Sequence, residues 1–134
     1  MPSPRIGIWF IGARGGVAAT AIVGLAALQK GLIDSVGLVS SLRQFAALDL
    51  ADWSAFVVGG HEIRKWTLNE ALERLHTDSR VIDSAVVEAC RDELAAIDTR
   101  IRLGSLANCG KTIGGLAGKS LDRFASESPS AAIE

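Results

Sequence analysis

The sequence predicts an α/β fold organised around a parallel sheet, and three observations carry that prediction. Ile6 to Ile11 reads IGIWFI, a nearly continuous apolar run of strand length; GARGGVAATAIVGLAALQKG follows, a glycine turn opening into an apolar helix; and Ala55 to Val58 repeats the short apolar run before Gly59 and Gly60. Unbroken apolar runs are how strands buried on both faces of a parallel sheet read. Strand, glycine turn, helix and second strand together make the repeating unit of a Rossmann-like sheet, and three or four strand candidates amount to one half of a dinucleotide-binding fold.

Composition agrees with a single globular unit. The chain has 134 residues, 49% hydrophobic and 22% charged, with a mean hydropathy of +0.29, so it has the apolar surface to bury a core. Fourteen Lys and Arg against fifteen Asp and Glu leave a net charge of −1, which argues against nucleic acid and against a polybasic membrane anchor. The expected partner is a small molecule or another protein. Cys90 and Cys109 form no CxxC and have no nearby His at metal-ligand spacing, which fits a reducing, cytoplasmic setting. Val17 to Leu28 falls short of the ~20 residues of a membrane span, and the N-terminus lacks the pattern of a signal peptide.

Each element has its own signal. The first helix runs from Gly15 to a stop at Lys30 and Gly31. Val36 to Val39 reads as a short strand, and SSLRQFAALDL as a short helix or turn. Ala55 to Val58 is the second buried strand. Thr67 and Glu70 make a capping box for a helix from about Leu68 to Leu75. Ile82, Val86, Cys90, Leu94, Ile97 and Ile101 form one amphipathic stripe capped near Asp83 or Ser84, with Cys90 facing the core. Gly104 to Gly118 is a loop by composition, Lys119 to Ala125 begins another helix, and Ser128 and Pro129 resemble an N-cap and first helical residue.

The glycine turn is the candidate site. A turn that leaves a strand and opens a helix presents free N–H groups and the positive end of the helix dipole, about half an elementary charge, to a phosphate. Gly12, Ala13, Arg14, Gly15, Gly16 and Val17 form it, although Arg14 stands where GxGxxG has its second glycine. Arg14 reads equally as a phosphate contact and as a solvated loop residue. A carboxylate ending the second strand would accept the ribose hydroxyls. Asp34 lies near the usual offset but precedes a strand; Glu62 follows AFVVGG and is preferred, which implies an insertion before that strand. Gly60 and His61 belong to the same strand end, and His61 can pack on an adenine.

GSLANCGKT has Ser105 at the glycine that GxxxxGK[ST] requires, so it does not spell a P-loop, and a loop folding over a ligand through Asn108, Lys111 or Thr112 is the milder reading. His61 and His76 have no evident nucleophile partner, so no catalytic constellation is visible.

IGARGGVAAT, FVVGGHEI and NEALERL together resemble the N-terminal, NAD-binding part of the inositol-3-phosphate synthase family, also called myo-inositol-1-phosphate synthases. Gly12, Gly15 and Thr20 fall on loop positions of the family's type, while Arg14, Gly16, Val17 and Ala18 depart from its glycines and asparagines. Gly60 fits the family's second motif, and His61 and Glu62 replace its Trp and Asp. The resemblance implies a Rossmann-type, NAD-binding fold with bound NAD as cofactor; the chain itself reads as a partial Rossmann-like domain over residues 1–125 and a polar tail or helix start at 126–134. It also implies a reaction, glucose 6-phosphate to inositol phosphate through oxidation, aldol-type closure and return of the hydride, with catalytic lysines in an inserted domain outside this sequence. The expectations are therefore binding of a small-molecule dinucleotide, NAD in preference to NADP, no synthase turnover by this chain alone, and association of copies through an open sheet edge. The NAD-binding portion of a longer enzyme and a non-catalytic nucleotide-binding or interaction module of Rossmann type are the two readings.

Overall fold

The computed structural model describes residues 4–107, 109–118 and 121. It is α/β, with a three-stranded all-parallel sheet: β1 (Ile6–Ile11), β2 (Phe56–Glu62) and β3 (Ile101–Leu103), in the order β1-β2-β3. Helices α1 (Gly16–Gln29), α2 (Leu68–Ser79), α3 (Ser84–Ala89) and α4 (Arg91–Asp98) connect the strands, and a single-turn helix, α5 (Lys111–Gly114), follows β3. This is the arrangement of one half of a Rossmann-like fold. β1 and β2 pair in parallel from Ile6 opposite Phe56 to Ile11 opposite His61, and Gly60 lies opposite Ile101 of β3.

The core lies between one face of the sheet and the four longer helices. Ile22 of α1, Leu68 and Leu72 of α2, Val87 of α3 and Leu94 of α4 join Val58 and Ile101 of the sheet in one buried cluster, with Phe10 packed against it. Each fully buried leucine or isoleucine contributes about 1.5–3 kcal/mol relative to exposure. Because strand side chains alternate in direction, the other face of β1 carries Trp9 and Ile11, and these remain 55% and 81% exposed.

That face corrects one expectation. The apolar run of β1 reads as a strand buried on both faces and too apolar for an edge; among the described residues β1 is an edge strand, as β3 is, with helices on one side only. Its apolar run is thus longer than its burial requires. The expected strand at Val36 to Val39 is also absent. Asp34 accepts a hydrogen bond from the Val36 N–H (3.0 Å), Leu38 N–H donates to Ser35, and Gly37 adopts φ +89°, so the segment closes as a turn followed by two short 3-10 turns, Val39–Ser41 and Arg43–Phe45. These residues form the insertion expected ahead of β2. Gln29 closes it by donating to the carbonyls of Trp53 (2.8 Å) and Phe56 (3.1 Å).

The remaining elements follow the sequence more closely. β2 continues through Gly59 and Gly60 to Glu62 instead of stopping at Val58. α2 starts at the expected capping box, with Thr67 accepting from Glu70 N–H and the Glu70 carboxylate accepting from Thr67 N–H at 2.7 Å. The stripe from Ile82 to Ile101 is not one helix. α3 and α4 meet at Cys90, which is fully buried as expected, and Ile101 belongs to β3. Arg100 donates from Nε to the Val58 carbonyl (2.8 Å) and Ile101 pairs with Gly60, so bonding to the sheet overrides the helical period. The Gly104 to Gly118 segment is a loop except for α5. Asn108 and the helix expectations at Lys119 to Ala125 and at Ser128 and Pro129 lie outside the described residues. No helix of the described residues is long and apolar enough to cross a membrane.

Candidate functional site

All three strands point their carboxyl ends at one side of the molecule, where an open parallel sheet places its ligands. A cleft of about 760 Å³ opens there, between Ile11 and Gly12 after β1, His61 to Arg64 after β2, and Leu103 to Ser105 after β3, with Ile113 and Leu116 on its far wall. Gly104 N–H donates to the Glu62 carbonyl (2.8 Å) and Gly118 N–H to the Ile63 carbonyl (2.9 Å), which fastens the later loop against the end of β2.

The glycine turn is built by β2. Gly12 adopts φ +81°, a left-handed conformation that favours glycine. The N–H groups of Gly12 and Ala13 both donate to the His61 carbonyl (2.9 and 3.1 Å), Arg14 N–H donates to Glu62 Oε2 (2.7 Å), and Gly15 N–H returns to Gly12 (2.9 Å). The next three, on Gly16, Val17 and Ala18, have no acceptor among the described residues. They are the first turn of α1, which has no side-chain cap and no acidic residue within that turn. An uncapped helix start of this kind attracts anions.

Glu62 is buried to 2% exposure and its carboxylate accepts five hydrogen bonds from four donor groups. Besides Arg14 N–H, they are Ile63 N–H (2.8 Å), Arg64 N–H (3.0 Å) and Arg64 Nη1, which reaches Oε1 at 3.1 Å and Oε2 at 3.2 Å. The carboxylate therefore clamps the turn to the exit of β2.

Arg14 faces the other way. Its guanidinium donates to Asp98 Oδ1 from Nε (2.9 Å) and lies 2.8 Å from it through Nη2, while Asp98 Oδ2 accepts from Leu68 N–H at the start of α2 (2.7 Å). Arg14 thus ties the turn to α2 and α4. The cation that does stand at the turn is Arg64, whose Nη1 lies 3.6 Å from the point where a Gly15 Cβ would sit, and whose Nε and Nη2 make no bond among the described residues. Sequence reasoning passed over Arg64. Its signal was a basic residue two positions after Glu62, just past the end of β2, within reach of that carboxylate.

The other expected residues divide into two groups. Gly12, His61 and Glu62 line the cleft. Gly60 and Ala13 lie behind it: Ala13 is fully buried, and a Cβ on Gly60 would come within 2.4 Å of the Phe10 carbonyl oxygen and 3.0 Å of the Ala13 Cβ. Gly60 therefore serves the close approach of turn and strand. Gly16 and Val17 contribute their backbone at the helix start, and the Val17 side chain is 89% exposed. His76 bonds through Nδ1 to the Ile82 carbonyl (2.6 Å), and Asp34 is used by its own turn. Lys111 and Thr112 begin α5, outside the residues that line the cleft. No protein-family model and no curated protein matches the chain.

Proposed function

We propose that the cleft binds a dinucleotide, NAD, as the NAD-binding part of an inositol-3-phosphate synthase does. The observation that carries the reading is the uncapped start of α1 at the end of β1, opening beside a cleft at the carboxyl edge of a parallel sheet. The pyrophosphate takes the N–H groups of Gly16, Val17 and Ala18, with Arg64 supplying a charge-assisted contact. The adenosine ribose lies at the end of β2. There the Glu62 oxygens are engaged by Arg64 Nη1, and a phosphate that draws Arg64 away frees acceptor positions for the ribose hydroxyls. The same carboxylate disfavours a 2′-phosphate, so NAD is preferred to NADP.

NAD supplies hydride chemistry when bound; this chain's residues bind and orient it. The sugar-phosphate step belongs to lysines that the resemblance places outside the sequence, so glucose 6-phosphate turnover by the 134-residue chain is expected at background. The edge of β1, unpaired among the described residues, supports association of two copies. Calorimetric titration of the chain with NAD and NADP tests the reading. Saturable NAD binding with weaker NADP binding is expected, along with loss of NAD binding in Gly12→Val, whose side chain is incompatible with the left-handed turn. Equal binding by that variant would remove the glycine turn from the site.

A further inference from the structure

We infer that Trp9 is a positioning residue that holds His61 as a hydrogen-bond donor at the cleft, directed at an acceptor on the adenosine half of the dinucleotide; the inference rests on the dinucleotide reading. The register places Trp9 opposite Gly59, and His61 lies two residues further along β2 on the same, helix-free face. A Cβ on Gly59 would meet the Trp9 ring at 2.6 and 2.9 Å, so the indole lies directly over that glycine and extends along the sheet towards His61. Its Nε1 donates to His61 Nδ1 at 3.0 Å, and the rings meet edge-on, with centroids 5.3 Å apart and planes at 69°.

The chemistry of the two rings fixes the rest. An indole N–H is a donor only, so Nδ1 of His61 must accept, and the neutral imidazole then carries its proton on Nε2. Nε2 has no partner among the described residues, and His61 lines the cleft. The side chain therefore offers a ligand one donor and no acceptor, which suits a purine ring nitrogen or a ribose oxygen. Burial does not explain the position of Trp9, since the residue is 55% exposed. The indole, seated over Gly59, points its one polar atom at the one cleft residue whose tautomer it can set.

The experiment combines long-range proton–nitrogen NMR of the labelled chain, which reads the His61 tautomer directly, with NAD titration. The free chain is expected to show His61 protonated on Nε2. Trp9→Phe, which keeps a ring and removes the donor, is expected to mix the tautomers and weaken NAD binding about fivefold to tenfold. His61→Ala should weaken it at least as much, with no further loss in the double variant, and His61→Gln, which retains an amide donor, should recover part of the affinity. Gly59→Ala, whose methyl pushes the indole aside while leaving both polar side chains chemically intact, provides the same test if Trp9→Phe is poorly folded. His61 protonated on Nδ1 in the free chain, or NAD binding unaffected by Trp9→Phe and His61→Ala, would overturn the inference alone. Failure of the unsubstituted chain to bind NAD would overturn the dinucleotide reading and the donor role with it.

Discussion

The carboxylate of Glu62 shows how much of a site can rest on one residue. Its place just beyond a buried strand and two glycines was legible in AFVVGGHE, although the strand reads as stopping at Val58 and in fact runs to Glu62. Its four donor groups were not, since three belong to backbone whose direction depends on the turn and the fourth to an arginine whose partner is chosen in space. Removing a buried ion-pair partner costs about 3–5 kcal/mol, and the partly exposed Arg64 places this case near the lower end. Glu62→Ala is thus expected to lose about 3 kcal/mol of stability in urea unfolding, with Glu62→Gln losing less because one acceptor remains. Gly60 makes a second, steric test. Its added methyl would strike backbone rather than a movable side chain, so Gly60→Ala should destabilise by about 1–3 kcal/mol or more in the same measurement.

At the scale of elements, local chemistry was readable where it was self-contained. β1 and α1 were legible from apolar runs and glycines, and α2 from the reciprocal bonds of Thr67 and Glu70. Val36 to Val39 and Ile82 to Ile101 misled because apolar period cannot register an Asx turn at Asp34 or the pairing of Ile101 with Gly60. The capping box yields a pH prediction. The Thr67 backbone and hydroxyl bonds hold the Glu70 carboxyl below the ordinary glutamate pKa, so protons bind the unfolded chain more readily. Its stabilising contribution is present above that ordinary value and is lost as pH falls through the depressed one. Helix α2 should therefore loosen at its start in mild acid, visible as faster amide exchange at Glu70, an effect absent in Glu70→Ala. Thr67→Ala should cost about 1 kcal/mol at neutral pH by thermal or urea unfolding.

For the whole molecule, the decisive relation is between a three-stranded sheet and the cleft at its carboxyl edge. Among the described residues, three parallel strands with helices on one face leave β1 as an open edge without a charged residue, yet they already assemble the glycine turn, the end of β2 and the loop after β3 around one cleft. The parallel unit was legible because its strands and turn are contiguous in sequence. The edge position of β1 was not, since an apolar run looks the same whether it is covered or awaits a partner. An uncharged edge should make the chain associate with rising concentration, and sedimentation velocity should show a dimer that Gly7→Lys, placing a charge on the helix-free face of β1 where an added side chain meets nothing within 4 Å, reduces. The most direct test of the central claim is a proton–nitrogen correlation spectrum of the labelled chain during addition of NAD. Saturating shifts at the amides of Gly12, Gly16, Val17, Ala18 and Glu62, with those at the opposite end of β1 and β2 unmoved, are predicted; an unchanged spectrum, or shifts confined to residues away from the glycine turn, would contradict it.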